Sequence, residues 1–345
     1  MAGNAMRLVC VVVLVAAIRA PAAPAEPSVS PADTGAVVAP ATDPLDDLEP
    51  LGYQPLGIVS GTLRLAGSTT LQQPAAFWSE GFSAVHPDAA VGIQSGGSEA
   101  GWKALLEGAA DVALLSRPVS EMERRAFEKT ADAVGKKLVV IPVAFERLVW
   151  IVHADNPVAE IHWSPDTGVV QTAAEGVGLT WGRLGADGEQ AGVPLRVHAT
   201  ELGSGTRWHL DRLLTGTASV SVDVKEHATI KDLAVAVAAD RGGLGLIGDN
   251  DGVWPGVKSS PLLIPAEADP PADAVPGSER TPDCRPLLVA IAVPTEGEWP
   301  AILREFVAYV LSWQGQLDVA QDGLLPLSRS EILAQREILG GPVER

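Results

Sequence analysis

Cysteine is nearly absent from this chain of 345 residues, which holds two. Cys10 lies in an N-terminal apolar run expected to be removed. Only Cys284 would then remain, so an internal disulfide is excluded, and Cys284 reads as an ordinary buried thiol. Basic residues are also short: 25 Lys and Arg stand against 43 Asp and Glu, for a formal net charge of −18 and a pI of about 4.7. Such a chain repels phosphate backbones and anionic lipid, so neither is expected as a partner. A small anion is not excluded. It answers to the nearest N–H dipoles and hydroxyls, while distant charge is screened within about 8 Å. The six histidines show no H-E-x-x-H or similar ligand spacing, so no metal and no cofactor are expected. No fixed-period repeat is present, which excludes a solenoid or propeller.

What is there has ordinary globular composition, 46% hydrophobic and 20% charged, with the length of one large or two medium domains. Met1 to Arg7 carries one Arg. Leu8 to Ile18 is an apolar run too short to span a bilayer. Ala23-Pro24-Ala25 fits a small-residue cleavage pattern. Residues 1–25 therefore read as a signal peptide cut after Ala25, and the mature protein as periplasmic or extracellular without a membrane span. Residues 26–57, rich in Pro, Ala and Asp, read as a disordered or extended tether.

From Ile58 the pattern alternates. A strand over Thr62–Ala66, a helix with Pro74 near its start, a strand over Val91–Gln94, a helix over Glu99–Glu107 and a strand over Asp111–Leu115 follow in turn. Ser120 and Glu123 form a capping box for the next helix. This predicts an α/β fold with a largely parallel sheet. Leu138–His153 is too long for one ordinary strand and is broken by Pro142 and Glu146-Arg147. A second apolar run covers Leu287–Val293. Two such crossings imply a second domain inserted into the first: lobe I from 58–146 with 288–345, lobe II from 147–287. Within lobe II, Pro194–His198 and Gly242–Ile247 read as strands. Helices are expected through Leu214 and over Lys231–Ala239, and Pro255–Ser278 reads as an irregular surface excursion.

Three strand-to-helix turns share one composition: Ser68-Thr69-Thr70, Ser95 to Ser98, and Ser204-Gly205-Thr206. A helix start offers unpaired N–H groups and partial positive charge. Glycine admits close approach of an anion to the backbone. Such a turn is a ready oxyanion site, and turns at strand C-termini of an open α/β sheet face one crevice. Ser and Thr also cap helices for purely structural reasons, so the case rests on the three together. Ser116 with Arg117, and Arg207, lie beside these turns; either Arg could add charge-assisted bonds or form an ordinary ion pair.

These residues match a family. Ala66-Gly67-Ser68-Thr69-Thr70 with Pro74, Ser95-Gly96-Gly97-Ser98-Glu99-Ala100-Gly101 with Asp111 and Ser116-Arg117, and Gly203-Ser204-Gly205-Thr206-Arg207 occur in the order and spacing of a known set. The chain resembles the phosphate-binding proteins of bacterial phosphate ABC importers, the PstS-like group of periplasmic binding proteins. Thr180-Trp181, Gly243 to Gly248, Arg285-Pro286-Leu287, Phe306 to Gly315 and Leu325-Pro326-Leu327 also fit, so the likeness runs from about Gly61 to Leu327. It implies a two-lobed, type II-like binding-protein fold hinged on two crossover strands. It implies ligand contacts from Ser68, Thr69, Thr70 and Ser98 on one lobe and Ser204, Gly205 and Thr206 on the other, inorganic phosphate or a similar oxyanion as ligand, and a membrane permease as partner. Two departures stand out. Thr200 occupies the place of the family's usual arginine, and Arg117 that of an aspartate some members use to accept a proton from phosphate. His198 and Arg207 are candidates to compensate.

An enzyme is the competing class. A phosphatase needs grouped metal ligands or an activated nucleophile. Ser204 is not in a G-x-S-x-G elbow, because Leu202 holds the first glycine position. Asp111 and Glu201 read better as a strand-start contact and a loop ion pair than as an acid–base pair. The other alternative is an anion-sensing or adhesin-like scaffold on the same fold.

Overall fold

A computed structural model describes residues 45–162, 180–215, 224–260, 262–263 and 283–339. The expected signal sequence, Cys10 and the cleavage point lie outside them. In chain order the elements are β1 (Gly61–Gly67), α1 (Gln72–Val85), β2 (Ala89–Ser95), α2 (Gly97–Leu106), β3 (Val112–Leu115), α3 (Glu121–Val134), β4 (Lys136–His153), β5 (Ile161–His162), β6 (Arg196–Thr200), α4 (Gly205–Thr215), β7 (Val224–His227), α5 (Ile230–Ala238), β8 (Gly243–Gly248), β9 (Val257–Ser260), β10 (Leu262–Leu263), β11 (Cys284–Pro294), α6 (Ala301–Val310), α7 (Trp313–Gln321) and α8 (Arg329–Ile338).

One sheet runs β2-β1-β3-β11-β4-β8-β6-β7, with β9 also on β4. Its ends are parallel, as the strand–loop–helix alternation predicts: β1 with β2 and β3, and β6 with β7 and β8. Its middle is antiparallel, because the two long crossing strands run against each other and against their outer neighbours. The long apolar run is one strand with two sets of partners. β4 pairs β11 from Lys136 to Arg147 and then β8 from Leu148 to Val152. A bulge at Val143 interrupts the β4–β11 ladder. There the Gln316 amide donates to the Val143 carbonyl at 3.0 Å, as a bulged residue freed from the ladder requires.

The change of partner separates the cores. On the β11 side, Trp78 and Phe82 of α1 pack with Val112, Ile141, Val289, Phe306 and Val310. α2 and α3 close the opposite face through Trp102, Leu105 and Phe127. The C-terminal helices return to this first core, as their apolar periodicity predicts. On the β8 side, Trp150, Trp181, Val197, Leu210 and Leu244 form a separate cluster, and α5 covers the other face with Leu233 and Val237.

Three expectations need correction. The tether reading fails from Leu45 onward: Asp46–Leu51 is a 3₁₀ helix whose Leu48 and Leu51 are buried in the first core. Leu45, Leu48 and Leu51 recur every third residue, the period at which 3₁₀ side chains align, and the acidic residues between them face outward. Tyr53 ties the segment down, donating to Glu305 Oε2 at 2.7 Å with His86 Nε2 also at 2.7 Å from its hydroxyl. The excursion after Pro255 contains ordered strand, β9 on β4 and β10 on β5. Cys284 is half-buried at the start of β11 rather than buried.

Candidate oxyanion site

The helix starts converge. A cavity of about 790 Å³ opens between the two ends of the sheet, at the C-termini of β1, β3 and β6. Ser68, Thr69 and Thr70 line it, as do Ser98 and Ser116. Across from them lie Thr200 and the run Glu201 to Thr206. Eight of the ten residues singled out in the sequence are therefore brought together: Ser68, Thr69, Thr70, Ser98, Ser116, Ser204, Gly205 and Thr206.

The first wall is buried and internally bonded. Ser68, Ser98 and Ser116 are all but sealed from solvent. Ser68 Oγ donates to Ser116 Oγ at 2.9 Å, the Ser116 amide donates to Ser98 Oγ at 3.0 Å, and the Ser98 and Ser116 hydroxyls lie 3.2 Å apart. Buried hydroxyls with several partners are held in fixed directions.

The second wall is the first turn of α4. Ser204 is its N-cap: Ser204 Oγ accepts from the Arg207 amide at 3.1 Å and sits 2.5 Å from Thr200 Oγ1. That leaves the Gly205 and Thr206 amides without intrahelical acceptors. Glycine is required here by close approach. A Cβ on Gly205 would lie 2.1 Å from Ser116 Oγ and 2.5 Å from the Ser116 carbonyl oxygen. The walls also meet through the backbone, where the Glu99 amide donates to the Gly203 carbonyl at 3.2 Å.

The two motif arginines stay out of the cavity. Arg117 forks onto Glu123, with nitrogen–oxygen distances of 2.7 and 2.9 Å, and donates to the Pro118 carbonyl at 3.0 Å. Burial alone would push the Glu123 carboxyl up, but Arg117 and Ser120 outweigh it and hold it below the usual range. Arg207 is spent on Asp211 and Glu226, both at 2.8 Å. Nor does His198 replace the family cation. It is buried behind the wall, with Nδ1 2.9 Å from His227 Nε2, and burial lowers its pKa. Asp111 pairs with Arg64 at 2.7 Å, which removes it from any acid–base pair with Glu201.

Arg285 is the cation that sequence reasoning passed over. It is fully buried on β11, directly across the ladder from Glu146 on β4. Its Nε donates to Glu146 Oε2 at 2.5 Å, and a terminal nitrogen contacts the same carboxylate. Its remaining donors reach Thr70 Oγ1 at 3.3 Å and the Ser116 carbonyl at 3.5 Å. The guanidinium thus stands behind the first wall and is joined to it through Thr70. A signal existed: Glu146, with Arg147, interrupts the apolar run Leu138–His153, and Arg285 stands just before the run Leu287–Val293. Burial pushes the Glu146 carboxyl up, against the pull of Arg285. His209, one turn into α4, is driven well below its ordinary pKa by burial, then by Arg285 and Arg212, and stays neutral.

A fourth helix start was also missed. Thr229 caps α5, accepting from the Asp232 amide at 3.1 Å, and lines the cavity with Ala228 and Ile230. Thr229-x-x-Asp232 ahead of an apolar run was its sequence signature. Asp251, in the turn after β8, completes the lining. Among the described residues no group of three or more His, Cys, Asp or Glu side chains could hold a metal ion. No helix among them is long and apolar enough to cross a membrane.

The chain is similar to known proteins in sequence and in fold. The chain is 28% identical over 287 residues to the phosphate-binding protein PstS of Pseudomonas aeruginosa, spanning 80% of this chain and 86% of that one. It is 27% identical over 182 residues to the protein SphX of Synechococcus elongatus, about half of each chain. An ABC-type phosphate transport receptor from Vibrio cholerae superposes with a TM-score of 0.55 at 22% identity, covering 77% of this chain and all of that one; this likeness is one of fold. The model of the PBP superfamily domain matches residues 55–312, which takes in every element from β1 to α6, and the chain belongs to that superfamily.

Proposed function

We propose that this protein is an extracytoplasmic solute-binding protein that captures inorganic phosphate between its lobes and delivers it to the membrane permease of an ABC importer. The observation that carries the reading is the convergence of hydroxyl-bearing helix starts from both ends of the sheet on one cavity. Free amides at Gly205 and Thr206, with hydroxyls from Ser68 to Thr70 opposite, supply donors where an oxyanion needs them. Phosphate in particular is supported by the relative in Pseudomonas aeruginosa, whose name states that ligand. The change of strand partner between Arg147 and Leu148 supports a lobe boundary near that point. Binding without chemistry fits a cavity whose serines bond to one another and whose lining, among the described residues, contains no histidine to act as their base.

Calorimetric titration of a phosphate-free preparation with phosphate tests the reading. Saturable binding of one anion per chain is the expected result, and absence of binding to phosphate, sulfate or arsenate overturns it. Release of phosphate from a generic phosphoester would reassign the protein to the hydrolases.

A further inference from the structure

Among the described residues, the cavity hydroxyls stand with little positive charge beside them. Thr200 is neutral, and its hydroxyl lies 2.5 Å from that of Ser204. Arg117 and Arg207 are closed onto carboxylates outside the cavity. Lys103 lines the cavity, but its side chain is 72% exposed, and water and salt screen a charge held in that way. Glu99, Glu201 and Asp251 in the lining have the opposite sign.

Arg285 is placed differently, sealed from solvent behind the first wall. Its Nη2 carries two hydrogens and meets two oxygens, Glu146 Oε2 and, at 3.3 Å, Thr70 Oγ1. The guanidinium therefore lies between the carboxylate and the wall. A guanidinium only donates hydrogen bonds, so Thr70 Oγ1 must accept. The hydroxyl hydrogen of Thr70 is thereby turned away from Arg285, and Thr70 lines the cavity. A hydroxyl that accepts from a cation is polarised and donates more strongly. An anion beyond Thr70 meets the positive end of the ion pair first, with Glu146 behind it. The cavity lining already responds to this charge: burial pushes the Asp251 carboxyl up, and the Gly248 amide and Arg285 pull it back.

We infer that Arg285 supplies the counter-charge for the bound oxyanion, acting through the Thr70 hydroxyl rather than by direct contact. It is a positioning residue: it fixes Thr70 as a donor and biases the cavity toward anions. This rests on the oxyanion reading above and names the source of the charge that reading needs. Two features set the size of the effect. The bond to Thr70 is long for an N–H donor, and Glu146 offsets part of the charge. The relay is therefore worth less than the best direct charged hydrogen bonds, about tenfold in affinity. Glu146 restrains the cation, so removing the Glu146 charge alone strengthens anion binding, whereas removing both charges weakens it. A pair that only held the fold would not give opposite signs.

Calorimetric titration of the full chain and its variants with phosphate, at one pH and one salt concentration, tests this. The double variant Arg285→Met with Glu146→Leu is expected to bind about tenfold more weakly than wild type. Glu146→Gln keeps an oxygen for Arg285 and is expected to bind at least about threefold more tightly. Thr70→Val is expected to weaken wild type by about tenfold, but the double variant by no more than about threefold, because the relay is already broken there. Wild-type affinity in the folded double variant overturns the inference. Weaker binding by folded Glu146→Gln does so too, as does a Thr70→Val loss of equal size in both backgrounds. If either charge variant fails to fold, the other decides. No phosphate binding by wild type instead overturns the oxyanion reading itself.

Discussion

On one wall of the cavity, Ser68, Ser98 and Ser116 bond to one another through their hydroxyls, away from solvent and backed by a buried ion pair. On the other wall, Ser204 caps a helix, its neighbours are glycines, and its arginine turns outward to Asp211 and Glu226. Both walls are written in the same Ser-Thr-Gly vocabulary. The difference lies in what stands behind them. The first is fixed by side chains from strands adjacent in the sheet and distant in sequence; the second by bonds within its own turn. The first should therefore fail by unfolding, and the second by losing ligand.

Breaking the first wall from behind should have the largest effect. Arg285→Met leaves the Glu146 carboxylate buried without its partner, which costs about 3–5 kcal/mol of stability. Denaturant unfolding measures it. The double variant Arg285→Met with Glu146→Leu removes both charges and should recover most of the loss. A single variant as stable as wild type would mean that the pair does not hold the wall.

Wedging the walls apart comes next. In Gly205→Ala the new Cβ meets Ser116 at 2.1 Å. Overpacking of that kind costs about 1–3 kcal/mol. Charged to the ligand-bound form, this weakens phosphate binding by about 5- to 150-fold. Wild-type affinity in this variant would show that the walls need not touch when the anion is bound.

Removing one donor from the second wall should weaken binding by a similar amount. A hydrogen bond to a charged group is worth about 1.5–3 kcal/mol, so Ser204→Ala should weaken phosphate binding by roughly one to two orders of magnitude. Stability should fall only by the worth of a cap, about 1 kcal/mol. Titration beside a thermal melt separates the two quantities.

Arg117→Ala should barely move affinity, by less than about twofold, because its guanidinium belongs to Glu123. It should cost about 1–3 kcal/mol of stability through the lost charged hydrogen bonds. Glu123 has a lowered pKa in the fold. Its contribution is therefore present above the ordinary carboxylate range and lost as pH falls through the lowered value. The stability gap between wild type and the variant should close in acid. A large loss of affinity would return Arg117 to the ligand site.

These contrasts also mark what the sequence could and could not disclose. The Ser-Thr-Gly turns were legible because a helix start is a local event: Ser204 caps α4 with its own next turn, and Gly205 follows directly. The destinations of Arg117 and Arg207 were not. Adjacency to a motif says nothing about direction, and each found a carboxylate first, Glu123 six residues on and Glu226 on the neighbouring strand. Glu146 was visible as a charge interrupting an apolar run, and Arg285 as one just before another. Their pairing depends on a register between residues 139 apart, which no periodicity fixes. The Leu45–Leu51 turn was masked by its acids and Pro50, since a three-residue apolar spacing over one short segment looks like composition until a core receives it. The crossing strands were legible in outline from their length, but their antiparallel pairing was not.

A crystal structure of the chain grown with phosphate would test the two-walled site most directly. One phosphate should lie within about 2.7–3.2 Å of the Gly205 amide and the Ser204 hydroxyl, with its other oxygens toward Ser68 to Thr70, and Arg117 still forked on Glu123. A phosphate held instead by Arg117 or Arg207, with the space between Ser68 and Ser204 empty, would contradict it.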